Sequence, residues 1–193
     1  MLGKVIPLAV LAASFAAAGC SIQPKGSKGN EDVKIETPFG GVRVKTDDAA
    51  IMADIGIRTY PGATLLKQNK DNGAADIHMS AGDFHLRVEA VGLHTADPPE
   101  KVLAFYRKEL ARYGDVIECK GKLSIGKPSK TNDGLACEDS GYTSDVSDHA
   151  DIELKVGGKL HQHIAAVEKT SDGTKIGLVV LELPNVDSPK ESN

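Results

Sequence analysis

The 193-residue chain carries 23 basic and 27 acidic side chains, a formal charge of −4 at neutral pH. A mildly acidic chain with no dense Lys/Arg stripe lacks the electrostatic footprint of a nucleic-acid binder, and its own charge gives anionic lipid no hold. With no Trp, four Tyr and four Phe, its core must come mainly from Val, Ile, Leu and Ala, and a carbohydrate-stacking surface is disfavoured.

In chain order, the first feature is Met-Leu-Gly-Lys, where Lys4 and the free amine make a short positive segment. An apolar run follows from Val5 to Ala18, interrupted by Pro7 and Ser14. It is shorter than the about 20 apolar residues a spanning helix needs. It ends in small residues, the pattern of a cleaved signal peptide over residues 1–19. Ala17-Ala18-Gly19-Cys20 resembles the lipobox of bacterial lipoproteins, with Ala18, Gly19 and Cys20 in place and Ala17 where Leu is usual. The resemblance covers these twenty residues only. It implies a diacylglyceryl group on the Cys20 thiol, cleavage before Cys20, and acylation of the freed amine by palmitate-type chains. The membrane is then a partner through Cys20, and Ser21 in the following position favours the outer membrane in a Gram-negative source. Ala16-Ala17-Ala18 also fits an ordinary secretory cleavage site. Either cut leaves the mature chain outside the cytoplasm.

Removing the first 19 of 193 residues leaves 174, enough for one domain, or two very small ones, with a real hydrophobic core. If lipid takes Cys20, Cys119 and Cys137 remain in a compartment that allows disulfides. Bridging them closes a loop of about 19 residues, worth about 3 kcal/mol in loop-closure entropy. A redox pair or a metal site are the alternatives, but neither cysteine lies in a Cys-x-x-Cys and no His sits at finger spacing. A structural disulfide is the expectation.

Residues 20–32, with Pro24, Gly26, Ser27, Gly29 and Asn30, read as a lipidated Cys and flexible tether, and 185–193 as a disordered tail. Val33–Thr37 and Val42–Thr46 alternate apolar and polar around Pro38-Phe39-Gly40-Gly41, a hairpin signal. A short helix over 47–54 would be capped by Asp47 or Thr46. Tyr60-Pro61-Gly62-Ala63 reads as a turn. Ala75–Ser80 and Phe84–Leu93 form a second hairpin. There Phe84, Leu86, Val88 and Ala90 are expected to face the core, with His85, Arg87 and Glu89 on the other side. Asp97, Pro98 and Glu100 suggest an Asp-type capping box for a helix over about 98–113. Its stripe is Val102, Leu103, Tyr106, Leu110 and Tyr113, and Gly114 stops it. Short strands follow around Asp115–Cys119 and Leu123–Ile125, then Asp151–Val156, Leu160–Glu168 and Thr174–Leu183. Ser171-Asp172-Gly173 makes the last connection a tight hairpin.

Hairpins dominate and no fixed-period repeat appears. The expected fold class is therefore α+β: a mostly antiparallel sheet covered by one main helix, in a single domain over 33–184 whose 33–46 hairpin could stand apart. Tyr60–Ala63 followed by Pro-Glu-x-Val-x-x-Phe-Tyr over Pro99–Tyr106 loosely resembles a group of uncharacterised bacterial envelope proteins, which implies no activity.

Candidate sites are few. His161 and His163 share one face of a predicted strand and could share a metal, but Zn²⁺ wants a third or fourth ligand, from His149 or an Asp. Two solvated histidines on an outer sheet face explain the pair more simply. Asp145, Asp148 and Asp151 near Glu153 are carboxylates of a kind that suits Ca²⁺, though without EF-hand spacing, and a solvated acidic loop is the simpler reading. No Gly-x-Ser-x-Gly elbow is present, and Gly121-Lys122-Leu123-Ser124 holds only fragments of a phosphate loop. His78, His85 and His94 show no fixed carboxylate partner, and Phe105 and Tyr106 read as core. The sequence thus points to a non-enzymatic, lipid-anchored binding or structural module of the cell envelope, with no cofactor, no catalytic residue and a possible envelope protein as partner. The alternative is a metal-binding protein or metal-dependent hydrolase using His161, His163 and nearby acids.

Overall fold

The computed structural model describes residues 21–27, 30–66, 73–139 and 150–185. The expectation for His149, Asp145 and Asp148 therefore lies outside the described residues, as do Cys20 and most of the proposed tail.

One antiparallel sheet organises the chain. Its strands are β1 (Ser21–Ser27), β2 (Asn30–Thr37), β3 (Gly40–Lys45), β4 (Thr64–Leu65), β5 (Ala74–Ala81), β6 (Phe84–Thr95), β7 (Ile117–Lys120), β8 (Leu123–Ser124), β9 (Ile152–Gly157), β10 (His161–Thr170) and β11 (Gly173–Glu182). Hydrogen bonding runs β1-β2-β3-β5-β6-β11-β10-β9-β7-β8, with β4 also paired to β6. Two helices, α1 (Asp48–Asp54) and α2 (Pro99–Leu110), complete the described elements. The molecule is therefore mostly β, which corrects the α+β expectation of a sheet beneath one main helix. Strand extends through the edges as well as the hairpins, and both helices are short. The stretch read as a tether holds β1 and the start of β2. Among the described residues, no helix is long and apolar enough to cross a membrane.

Local chemistry explains the helix ends. The Asp47 carboxylate accepts from the backbone N–H groups of Ala49 and Ala50, both at 3.0 Å, satisfying donors the first turn leaves free. Asp97 does not cap α2. Pro98 is the cap residue, with no side-chain cap bond, while Asp97 accepts from the Tyr60 hydroxyl at 2.8 Å and the Lys101 ammonium at 3.0 Å. These two donors hold its carboxyl below the usual range, Lys101 contributing most. The helix stops at Leu110, so Tyr113 lies beyond it.

Both helices lie on one face of the sheet. Ile51 and Ile55 near α1, Tyr60, and Val102, Leu103, Tyr106 and Leu110 of α2 pack on Val91, Leu93, Leu154, Val156, Ala165, Val167, Ile176, Leu178 and Val180. A second, smaller cluster joins Ile117, Leu135 and the disulfide between Cys119 and Cys137. The Thr131 hydroxyl donates to the Gly157 carbonyl at 2.6 Å and accepts from the Leu135 N–H at 3.0 Å, seating the bridged loop against β9.

Candidate functional site

The register of β3, β5, β6 and β11 gathers charge at the border of the core. Lys45 lies opposite Asp76, Asp76 opposite Glu89, and Glu89 opposite Val180. Strand alternation puts these side chains on the helix-covered face, together with His78 and Arg87 two residues away. Glu89, Val91, Leu93 and Thr95 are the buried residues of β6, while Phe84, Leu86, Val88 and Ala90 lie on the opposite face and none is fully buried. The expected facing of β6 is thus reversed, because the helix-covered side of this strand carries the charges.

Asp76 is fully buried and Glu89 is 1% exposed, so each needs a countercharge. The Lys45 ammonium lies 3.1 Å from Asp76 Oδ2 and 3.2 Å from Asp54 Oδ2, linking α1 to β5. Asp76 pushes the Lys45 pKa above its ordinary value, with burial working against it. His78 Nε2 approaches Asp76 Oδ1 at 2.7 Å, although neither Asp76 oxygen accepts a well-aligned hydrogen bond. Arg87 pairs with Glu89 and reaches Glu182 Oε1 at 3.3 Å. His78 therefore does have a carboxylate partner, and so does His94, whose Nε2 lies 3.4 Å from Asp172.

One atom each of Asp76, His78 and Glu89 fall within 4.8 Å of one another, the one grouping of three such ligands among the described residues. One nitrogen and two carboxylates form a donor set that Zn²⁺ accepts. Here Lys45 and Arg87 already hold the two acids, and the arrangement works chemically as a closed charge network. Sequence reasoning missed it. The available signal was Asp-x-His on one strand facing Arg-x-Glu on the next, with Lys45 ending a third.

His161 and His163 share one face of β10, as alternation requires, but it is the helix-covered face that carries Ala165 and Val167 rather than the outer face expected. The His163 ring stacks on Tyr113, with centroids 4.1 Å apart and planes 15° apart. The pair lines a depression of about 340 Å³ with Asp133, Gly157 and Gly158. Among the described residues, no third ligand joins them. Asp151 accepts from the Lys169 N–H at 2.8 Å, and Glu153 pairs with Lys155 at 3.0 Å. Tyr106 is core and Phe105 is partly buried against it, the two rings meeting edge to face at 5.0 Å.

Burial lowers the His163 pKa from 6.5, with Glu182 opposing the shift. The unfolded chain thus takes up this proton at higher pH than the folded one, and stability contributed by neutral His163 falls as pH drops below 6.5. We expect His163→Gln to lessen the loss of denaturation free energy between about pH 7.5 and about pH 5. An unchanged loss in urea titrations at both pH values would show that His163 does not carry it.

No family model matches this chain, and no curated protein or solved structure does either, so its function must be argued from its own residues.

Proposed function

We propose that the chain is a lipid-anchored, non-enzymatic module of the cell envelope, held to a membrane by acyl chains on Cys20 and binding another envelope component. The observation that carries this reading is Ala18-Gly19-Cys20 at the end of the apolar run Val5–Ala18. More than one acyl chain is needed for a stable anchor, which the lipobox resemblance supplies.

The test is direct. Cells expressing the full chain and fed an alkyne-tagged palmitate should yield a labelled band that Cys20→Ser abolishes. Intact-mass measurement should show acyl groups on a mature chain beginning at Cys20. A mature N-terminus at Gly19 with no added lipid mass would overturn the anchor.

A further inference from the structure

The part of the sheet built by β2, β3, β5 and β6 has two unlike faces at its turn end. On one, the register aligns Ile35 with Val42, Val42 with Met79, and Met79 with Leu86, an apolar row across four strands. None of the four is fully buried. The row runs out to Phe39, which is 86% exposed in the β2–β3 turn, and to Phe84, which is 37% exposed at the start of β6. A depression of about 300 Å³ lies among these side chains. At the same end, alternation gives the opposite face Glu36, Arg43, Ser80 and His85. Both helices pack on that opposite side of the sheet. A contiguous exposed apolar surface is a mark of an interaction site.

The path of the chain identifies the occupant. Ser21 pairs with Glu36 and Ser27 with Asn30, so β1 begins at the end of the sheet that carries the Thr37–Gly40 turn. Cys20 immediately precedes Ser21 in the chain. We propose that this apolar end is a second membrane contact, with Phe39, Met79 and Phe84 seated in the interface of the bilayer that holds the Cys20 acyl chains. The proposal rests on the lipid-anchor reading of Cys20. The contact is apolar rather than electrostatic, which suits an acidic chain. It needs little intrinsic affinity, since the anchor makes it an intramolecular event at high effective concentration. It fixes the orientation of the domain, with the Arg43 and His85 face toward water.

The chain has no Trp, so Phe39→Trp introduces a single indole at an exposed position. Leu123→Trp, at a 74% exposed site in β8 at the other edge of the sheet, is the control. Each full-length variant is purified lipidated, its acyl mass confirmed, and reconstituted in phosphatidylcholine vesicles with or without acyl-brominated lipid. Interfacial seating buries an apolar side chain about 5–10 Å into the headgroup/acyl boundary. The expected result is a shift of the Phe39→Trp variant's indole emission to shorter wavelength and its loss with brominated lipid, with neither change in the Leu123→Trp variant. Equal, water-like emission from both variants in acylated protein overturns the membrane contact and leaves the anchor standing. A shifted emission that brominated lipid does not quench, accompanied by dimer-sized cross-links, overturns it in favour of a second copy. Absence of acyl mass counts against the anchor reading itself.

Discussion

Replacing Leu110 by alanine is expected to lower the free energy of unfolding by about 2–5 kcal/mol, the range for truncating a large buried side chain. Leu110 ends α2 and is fully buried in the main core, on the same helical stripe as Val102 and Tyr106. That stripe anchors the helix to β9, β10 and β11. The backbone around Leu110 cannot easily collapse into the void. Arg107 bonds Glu118 through its Nε at 3.1 Å, and the Tyr113 hydroxyl donates to the Gly56 carbonyl at 2.6 Å, fixing the chain on either side. Urea denaturation at neutral pH measures the change, with the midpoint moving at a constant m-value. A loss smaller than about 0.5 kcal/mol, the level of an ordinary surface substitution, would show that α2 does not rest on this side chain.

That helix could be read in the sequence because Val102, Leu103, Tyr106 and Leu110 recur at helical spacing and all four are buried. The hairpins were legible for a related reason. Val33–Thr37, Val42–Thr46 and 174–183 alternate or run apolar between turn residues, and they pair as β2 with β3 and β10 with β11. The joining of hairpins was not legible. β3 pairs with β5 across Val44 and Ile77, and β6 with β11 across Val91 and Leu178, and no local pattern encodes such contacts. β1 escaped because Gln23-Pro24-Lys25-Gly26 has neither alternation nor strand propensity. The facing of β6 was reversed for an instructive reason. Phe84, Leu86 and Val88 mark one face and Val91 and Leu93 the other, because the strand leaves the helix-covered region partway along its length. An apolar run therefore changes sides, and a polar residue such as Glu89 becomes buried. Asp97 could be seen as a polar residue ahead of a helix, but not as the acceptor for Tyr60, a residue 37 positions earlier in the chain.

Glu89 leads to the second large effect. Arg87→Met is expected to cost about 3–5 kcal/mol, as loss of one partner from a buried ion pair does. A value toward the lower end is expected, because the Arg87 side chain keeps 30% of its exposure and solvent screens part of the pair. The reason is geometric. Glu89 lies directly opposite Asp76 on the same face of the β5–β6 ladder, and like charges in that position repel. Without Arg87, the Glu89 carboxylate faces Asp76 beside apolar Val91 and Val180, and Lys45 is already held between Asp54 and Asp76. The double substitution Arg87→Met/Glu89→Met removes both the charge and its need for a partner, so it should recover most of the loss and could exceed the parent in stability. Glu89→Met alone leaves Arg87 its contact with Glu182 at 3.3 Å and is expected to cost less than Arg87→Met. A double-mutant cycle by chemical denaturation reads all three. If Arg87→Met costs less than about 1 kcal/mol, the upper end for an exposed surface pair, or if the double variant is less stable than Arg87→Met, then Glu89 is not the buried charge on which this corner of the sheet depends.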